Sequence, residues 1–294
     1  MKQIRIFRFV FSACGLAALV AGCHAPTPVL LDHPRMAAGV QMQDVSFYSA
    51  ALGRQMTYRV FLPAAPAAGK KLDSIYLLHG NGGGYREWSN DSDVAGYAAR
   101  GAVLVMPEGE SSYFVNAALS PSDRYEDYLF RDVIADVESR FPVAADGKHR
   151  AIVGVSMGGF AAVKLALTHP EAFAFAGAIS PAIDVPSRQF RWRRWSQGWR
   201  FRTLFGPAGS DTRKHADPFL LVQTVDPGRV PYLYVTAGQN EPLLEPNRRF
   251  AARLQTLHFA YEFHTRPGGH NWTEWDAQLP GCFESLFKHL QPAG

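Results

Sequence analysis

Short apolar runs of strand length alternate with helical stretches through most of this chain, and few architectures accept that pattern. Ser74–Leu78, Ala102–Met106, Ala151–Val155 and Phe173–Ile179 read as buried parallel strands. Pro231–Thr236 and Ala260–Thr265 read as two more. Between them, Tyr125, Leu129, Val133 and Val137 recur at helical spacing, as do Phe250, Leu254 and Leu257. Val45–Ser49 and Met56–Leu62 alternate apolar and polar residues like antiparallel edge strands. Strand alternating with helix predicts an α/β fold, a mostly parallel sheet with helices on both faces. An apolar share of 47% over 294 residues suffices for one core and excludes a disordered chain. The net charge is +4, and three of those charges are Lys2, Arg5 and Arg8 in a segment expected to be removed. The remainder gives no whole-protein case for nucleic acid as a partner.

The chemistry concentrates where predicted strands end. Gly154-Val155-Ser156-Met157-Gly158 is a G-x-S-x-G string between an apolar strand and an Ala-rich helix. Its glycines permit a sharp turn that lifts the serine hydroxyl above the sheet edge. A phosphate loop would need a following Gly-Lys-Ser/Thr, which is missing. A serine is a poor nucleophile until a base takes its proton, and the chain order serine, acid, histidine shows where to look. His270 lies on a Gly-rich loop after the last predicted strand, whereas His264 falls within the strand pattern and reads as structural. Glu241 follows Pro231–Thr236 and is the expected acid, with Glu245 one turn later as the fallback. Two backbone N–H groups must meet the developing oxyanion. Met157 supplies one, and Asn81 in the run His79-Gly80-Asn81-Gly82-Gly83-Gly84 supplies the other, with Gly82 as the near alternative.

With these residues in place the sequence resembles the "Putative esterase" family of α/β-hydrolases, which includes S-formylglutathione hydrolase/esterase D, feruloyl esterases and mycolyltransferases. The matching residues are Tyr76-Leu77-Leu78-His79-Gly80, Met106-Pro107-Glu108-Gly109, Tyr125-Glu126-Asp127-Tyr128 and Gly154–Gly159. His169-Pro170-Glu171, Ile179-Ser180-Pro181 and Gly268-Gly269-His270-Asn271-Trp272 complete the set, in family order over nearly all of residues 45–290. The resemblance implies an α/β-hydrolase fold and a serine esterase needing neither metal nor cofactor. It puts the nucleophile on Ser156, the base on His270 and the oxyanion loop on Asn81. The family's acid is usually Asp, so Glu241 departs from it and must fold back. Short-chain or aromatic acyl esters are the expected substrates. An acyltransferase moving the acyl group to a sugar alcohol, as mycolyltransferase relatives do, is the alternative. A non-catalytic binding module of the same fold is a further one.

Two segments lie outside that framework. Lys2, Arg5 and Arg8 precede an apolar run, Phe9–Ala21, that ends in Val20-Ala21-Gly22-Cys23. This resembles a bacterial lipobox, with residues 1–22 as signal peptide, Cys23 as lipidated N-terminus, 23–43 as tether and 44–294 as esterase domain. His24, in place of Asp, points by resemblance to the outer membrane or periplasm. The alternative is an ordinary signal peptide with an incidental cysteine. Cys282, on the apolar face of a C-terminal helix, reads as packing. Finally, Arg188–Arg202 holds six arginines, three tryptophans and no acid. It reads as a cap, with Trp192, Trp195 and Trp199 lining a substrate pocket. Packing over a core edge and contact with anionic headgroups are its other uses.

Overall fold

The computed structural model describes residues 31–65, 69–188 and 195–290, with the backbone alone at 195–196. Eight strands form one sheet: β1 (Val40–Ser49), β2 (Arg54–Pro63), β3 (Asp73–Leu78), β4 (Ala102–Pro107), β5 (Arg150–Val155), β6 (Phe175–Ile179), β7 (Tyr232–Gly238) and β8 (Tyr261–Arg266). Their spatial order is β1-β2-β4-β3-β5-β6-β7-β8. β2 runs antiparallel to both its neighbours, and every pairing from β4 to β8 is parallel. This is the α/β-hydrolase arrangement that the sequence predicts.

The central strands are apolar on both faces because both are covered. Tyr76, Leu78, Val105 and Ile152 point into the core on one side. Their neighbours Ile75, Leu77, Leu104 and Val153 point into the other. All eight are fully buried, and each such side chain contributes roughly 1.5–3 kcal/mol. The helix after β5, Met157–Thr168, closes the first side and is buried for all but its last residue. Leu279–His289 closes the second, burying Cys282, Phe283 and Leu286. Burial pushes the Cys282 thiol far above its ordinary range, as befits a packing residue.

Two segments differ from expectation. Tyr125–Arg140 is not one regular helix, because its middle, Tyr128–Val133, is wound as a π-helix. The sheet also begins at Val40, so four residues assigned to the tether are strand, paired with Val60–Pro63. The chain ahead of them is fastened as well. The Arg59 guanidinium, fully buried, holds Asp32 at 2.6 and 2.9 Å and Asp44 at 2.7 and 2.9 Å. Cys23 and the rest of residues 1–30 lie outside the described residues, as does Trp192.

Candidate active site

Ser156 occupies the turn from β5 into the helix Met157–Thr168 with φ 53° and ψ −108°, a conformation costly for any side-chain-bearing residue. Its backbone is pinned there. Ser156 N–H donates to Ile179 O at 2.9 Å, and Ser156 O accepts from Phe160 and Ala182 at 3.0 Å each. The flanking glycines are required by close approach. A Cβ on Gly154 would lie 2.2 Å from the Gly158 carbonyl, and one on Gly158 would lie 2.1 Å from Leu78 O. The second contact also places the loop after β3 beside the turn.

The other two predicted residues converge on this serine. Ser156 Oγ–H donates to His270 Nε2 at 2.8 Å, and His270 Nδ1–H donates to Glu241 Oε2 at 2.6 Å. The loops after β7 and β8 are stitched together by Gln239 N–H to Arg266 O at 2.8 Å and Asn240 N–H to Gly268 O at 2.9 Å. Glu241 does fold back, and its Oε1 accepts from Gly238 N–H at 2.9 Å while its carboxylate is fully buried. Trp275 meets the imidazole edge-on, with ring centroids 4.8 Å apart, which leaves His270 one packed side and one open side. Glu245 is 71% exposed and pairs with Arg248, away from this chain of bonds. His264 pairs with Glu262 on its own strand.

The expected oxyanion donors lie on the turn that carries the serine and on the loop after β3. The N–H of Met157, first residue of its helix, has no acceptor within the helix. After β3, a turn closes through Gly83 N–H to Gly80 O at 3.2 Å, with Gly82 at φ 86°. That bond leaves the N–H groups of Asn81 and Gly82 to other acceptors. His79 is buried and braces the loop, its Nδ1–H donating to Gly80 O at 2.8 Å while its Nε2 accepts from Gly109 N–H at 2.9 Å. Gly80 N–H is held by Glu87 Oε2 at 2.9 Å. Burial pushes the neighbouring Glu108 carboxyl up. The His79 imidazole beside it and the bonds it accepts from backbone N–H groups outweigh that and hold it below its ordinary value.

Sequence reasoning missed Arg200. This residue of the cap helix, Trp195–Phe205, donates through Nη2 to Asn81 Oδ1 at 2.7 Å and to Ser111 O at 2.6 Å. It ties the cap to the loop that carries Asn81. Phe201 and Phe205 fix the same helix against Tyr113 and, through Phe205, Phe160. Of the expected pocket residues, Trp199 is 67% exposed on this helix, and the Trp192 and Trp195 side chains lie outside the described residues. The arginine-rich composition was the available signal, but nothing in it distinguishes Arg200 from the other five.

Residues 49–286 match the family described as "Putative esterase". The chain belongs to that family. Its relatives are carboxylic ester hydrolases and acyltransferases on the α/β-hydrolase fold. The acetyl esterase of Caldicellulosiruptor saccharolyticus is 25% identical over 84% of this chain and 98% of its own. A diacylglycerol acyltransferase/mycolyltransferase Ag85B of Mycobacterium intracellulare is 25% identical over 82% and 81%. Among solved structures, FphF, a fluorophosphonate-binding serine hydrolase of Staphylococcus aureus, has a TM-score of 0.73 at 22% identity, covering 86% of this chain and 99% of that one. The fold and the esterase class are thus those of the family.

Proposed function

We propose that the protein is a serine carboxylic-ester hydrolase of the cell envelope that works through an acyl-enzyme on Ser156. The observation that carries this reading is the unbroken chain of hydrogen bonds from Ser156 Oγ through His270 to Glu241. His270 Nε2 takes the hydroxyl proton as Oγ attacks the ester carbonyl. Glu241 keeps the imidazole in the tautomer whose Nε2 is free to accept, and stabilises the cation that forms. The N–H groups of Met157 and Asn81 meet the developing oxyanion. Collapse breaks the bond to the leaving alkoxide, which receives the proton from His270. Water, activated by the same imidazole, then releases the acid.

The likeness to an acetyl esterase supports a short acyl group, and an aromatic acyl group is the second expectation. The likeness to a mycolyltransferase supports a sugar alcohol as an acceptor competing with water. Turnover of p-nitrophenyl acetate, butyrate and a feruloyl ester by wild type and Ser156→Ala tests the reading. Wild type should release both alcohol and free acid, and the variant neither. Full turnover by the variant overturns the reading, and acyl transfer to added sugar in place of acid release replaces hydrolase by transferase. For location, the basic and apolar start and Val20-Ala21-Gly22-Cys23 support an exported chain anchored on the outer membrane by lipid on Cys23. Radiolabelled fatty acid should be incorporated by wild type and not by Cys23→Ala.

A further inference from the structure

The cap helix has a second side. Residues two apart on an α-helix lie about 200° apart and residues four apart share a face. Arg200 faces the Asn81 loop, so Gly198 and Arg202 face away from it, and there they wall a cavity of about 510 Å³. Arg188, Arg213 and Lys214 supply its other cations. Two of the four are already matched, Arg188 to Asp184 and Lys214 to Asp211. Arg202 and Arg213 have no carboxylate within ion-pair distance among the described residues.

Arg213 is held in place by neutral groups. Its Nε donates to Gly206 O at 2.9 Å and its Nη2 to Phe201 O at 3.1 Å, while its Nη1 has no hydrogen bond among the described residues. Burial depresses its pKa, and the positive charge of Arg202 adds to that. The one carboxylate in the wall, Asp217, does not supply a counter-charge. Its Oδ1 is taken by Phe219 N–H, and burial, with Asp184 nearby, pushes its pKa up. Pro186 and Leu220 add an apolar wall.

We propose that this cavity is an anion site, separate from the reaction cleft, that takes the phosphoryl group of a small molecule or lipid headgroup between Arg202 and Arg213. A phosphoryl group offers both guanidinium forks paired oxygens and removes their mutual repulsion. Its occupation also fixes the cap helix whose other face carries Arg200. The site rests on Arg202, Arg213 and the cavity they line, so it stands or falls independently of the acyl-enzyme reading.

The test titrates the full chain with inorganic phosphate against sodium chloride of equal ionic strength. Saturating phosphate should raise the Tm of wild type by about 2–4 °C beyond chloride. Arg202→Glu changes one exposed side chain that has no ion pair among the described residues, and should keep the wild-type Tm in chloride and the wild-type rate on p-nitrophenyl acetate. It should bind phosphate at least tenfold more weakly. A chloride shift equal to that of phosphate, or undiminished phosphate binding by the variant, overturns the proposal. A soluble short-chain phosphatidate and glycerol phosphate identify the source. Tenfold tighter binding of the phosphatidate assigns a lipid headgroup, equal binding assigns a soluble phosphate ester, and failure of both to displace inorganic phosphate overturns the site. Loss of p-nitrophenyl acetate turnover by Ser156→Ala with the phosphate shift intact shows the two claims to be separate.

Discussion

Ser156 holds a backbone conformation that its neighbours impose, and the two glycines around it are where that constraint is most exposed to mutation. Gly158→Ala drives a Cβ to 2.1 Å from Leu78 O, a backbone atom of a central strand that cannot move aside. Chemical denaturation should show a loss of about 4 kcal/mol or more, or no folded protein. Glu241→Gln should do the opposite, sparing stability and removing activity. The amide oxygen can still accept from Gly238 N–H, but the amide NH2 then faces Nδ1 and favours the wrong imidazole tautomer. The kcat on p-nitrophenyl acetate should fall about 10⁴-fold with Tm little changed, and Glu245→Gln should match wild type. At this scale the sequence was readable because each group follows a strand end. Ser156, Glu241 and His270 sit after β5, β7 and β8, and only the fold of the Glu241 side chain has no signature in chain order.

The elements that were legible are those with a covered face. The strands from β3 to β7 are buried almost throughout and read as apolar runs. The alternation in β1 extends back through Val40-Gln41-Met42-Gln43 in the sequence, but in the structure Gln41–Asp44 are exposed and burial alternates only from Val45. The cap was visible as composition, but its purchase on Asn81 spans 119 residues and has no periodic signature. Arg200 touches Asn81 and no reacting group, so under the proposed mechanism it is a positioning residue. Arg200→Ala should lower kcat about tenfold with KM little changed, since it frees the loop rather than removing a substrate contact. Arg200→Lys, which can reach one of the two acceptors, should recover part of the loss. Trp199→Ala touches an exposed side chain, so it should alter relative rates across an acetyl, butyryl and feruloyl panel while leaving Tm unchanged. Unchanged selectivity would remove Trp199 from the pocket.

For the molecule as a whole, the fastening of the N-terminal segment was hidden from the sequence. Asp32 and Arg59 are 27 residues apart, and a lone Arg in a strand of alternating pattern carries no sign of burial. The hydrogen bond from Arg59 holds the Asp32 carboxyl below its ordinary value. That stabilisation is therefore complete above the ordinary carboxylate range and is lost as pH falls through the lowered value. Asp32→Asn should cost about 1–2 kcal/mol at pH 7, since Arg59 keeps Asp44 and Ser89 Oγ. The gap to wild type should hold from pH 7 to 5 and narrow below about pH 4, as read by denaturation at each pH. A gap independent of pH would mean that the ion pair contributes nothing.

The central claim is that Ser156, activated by His270, becomes the acylated residue. Labelling with a fluorophosphonate followed by peptide mass spectrometry tests it most directly. One phosphonyl group should appear, on the peptide that carries Ser156, with labelling abolished in Ser156→Ala and slowed at least a hundredfold in His270→Ala. A label on any other residue, or labelling of Ser156→Ala at the wild-type rate, contradicts the account.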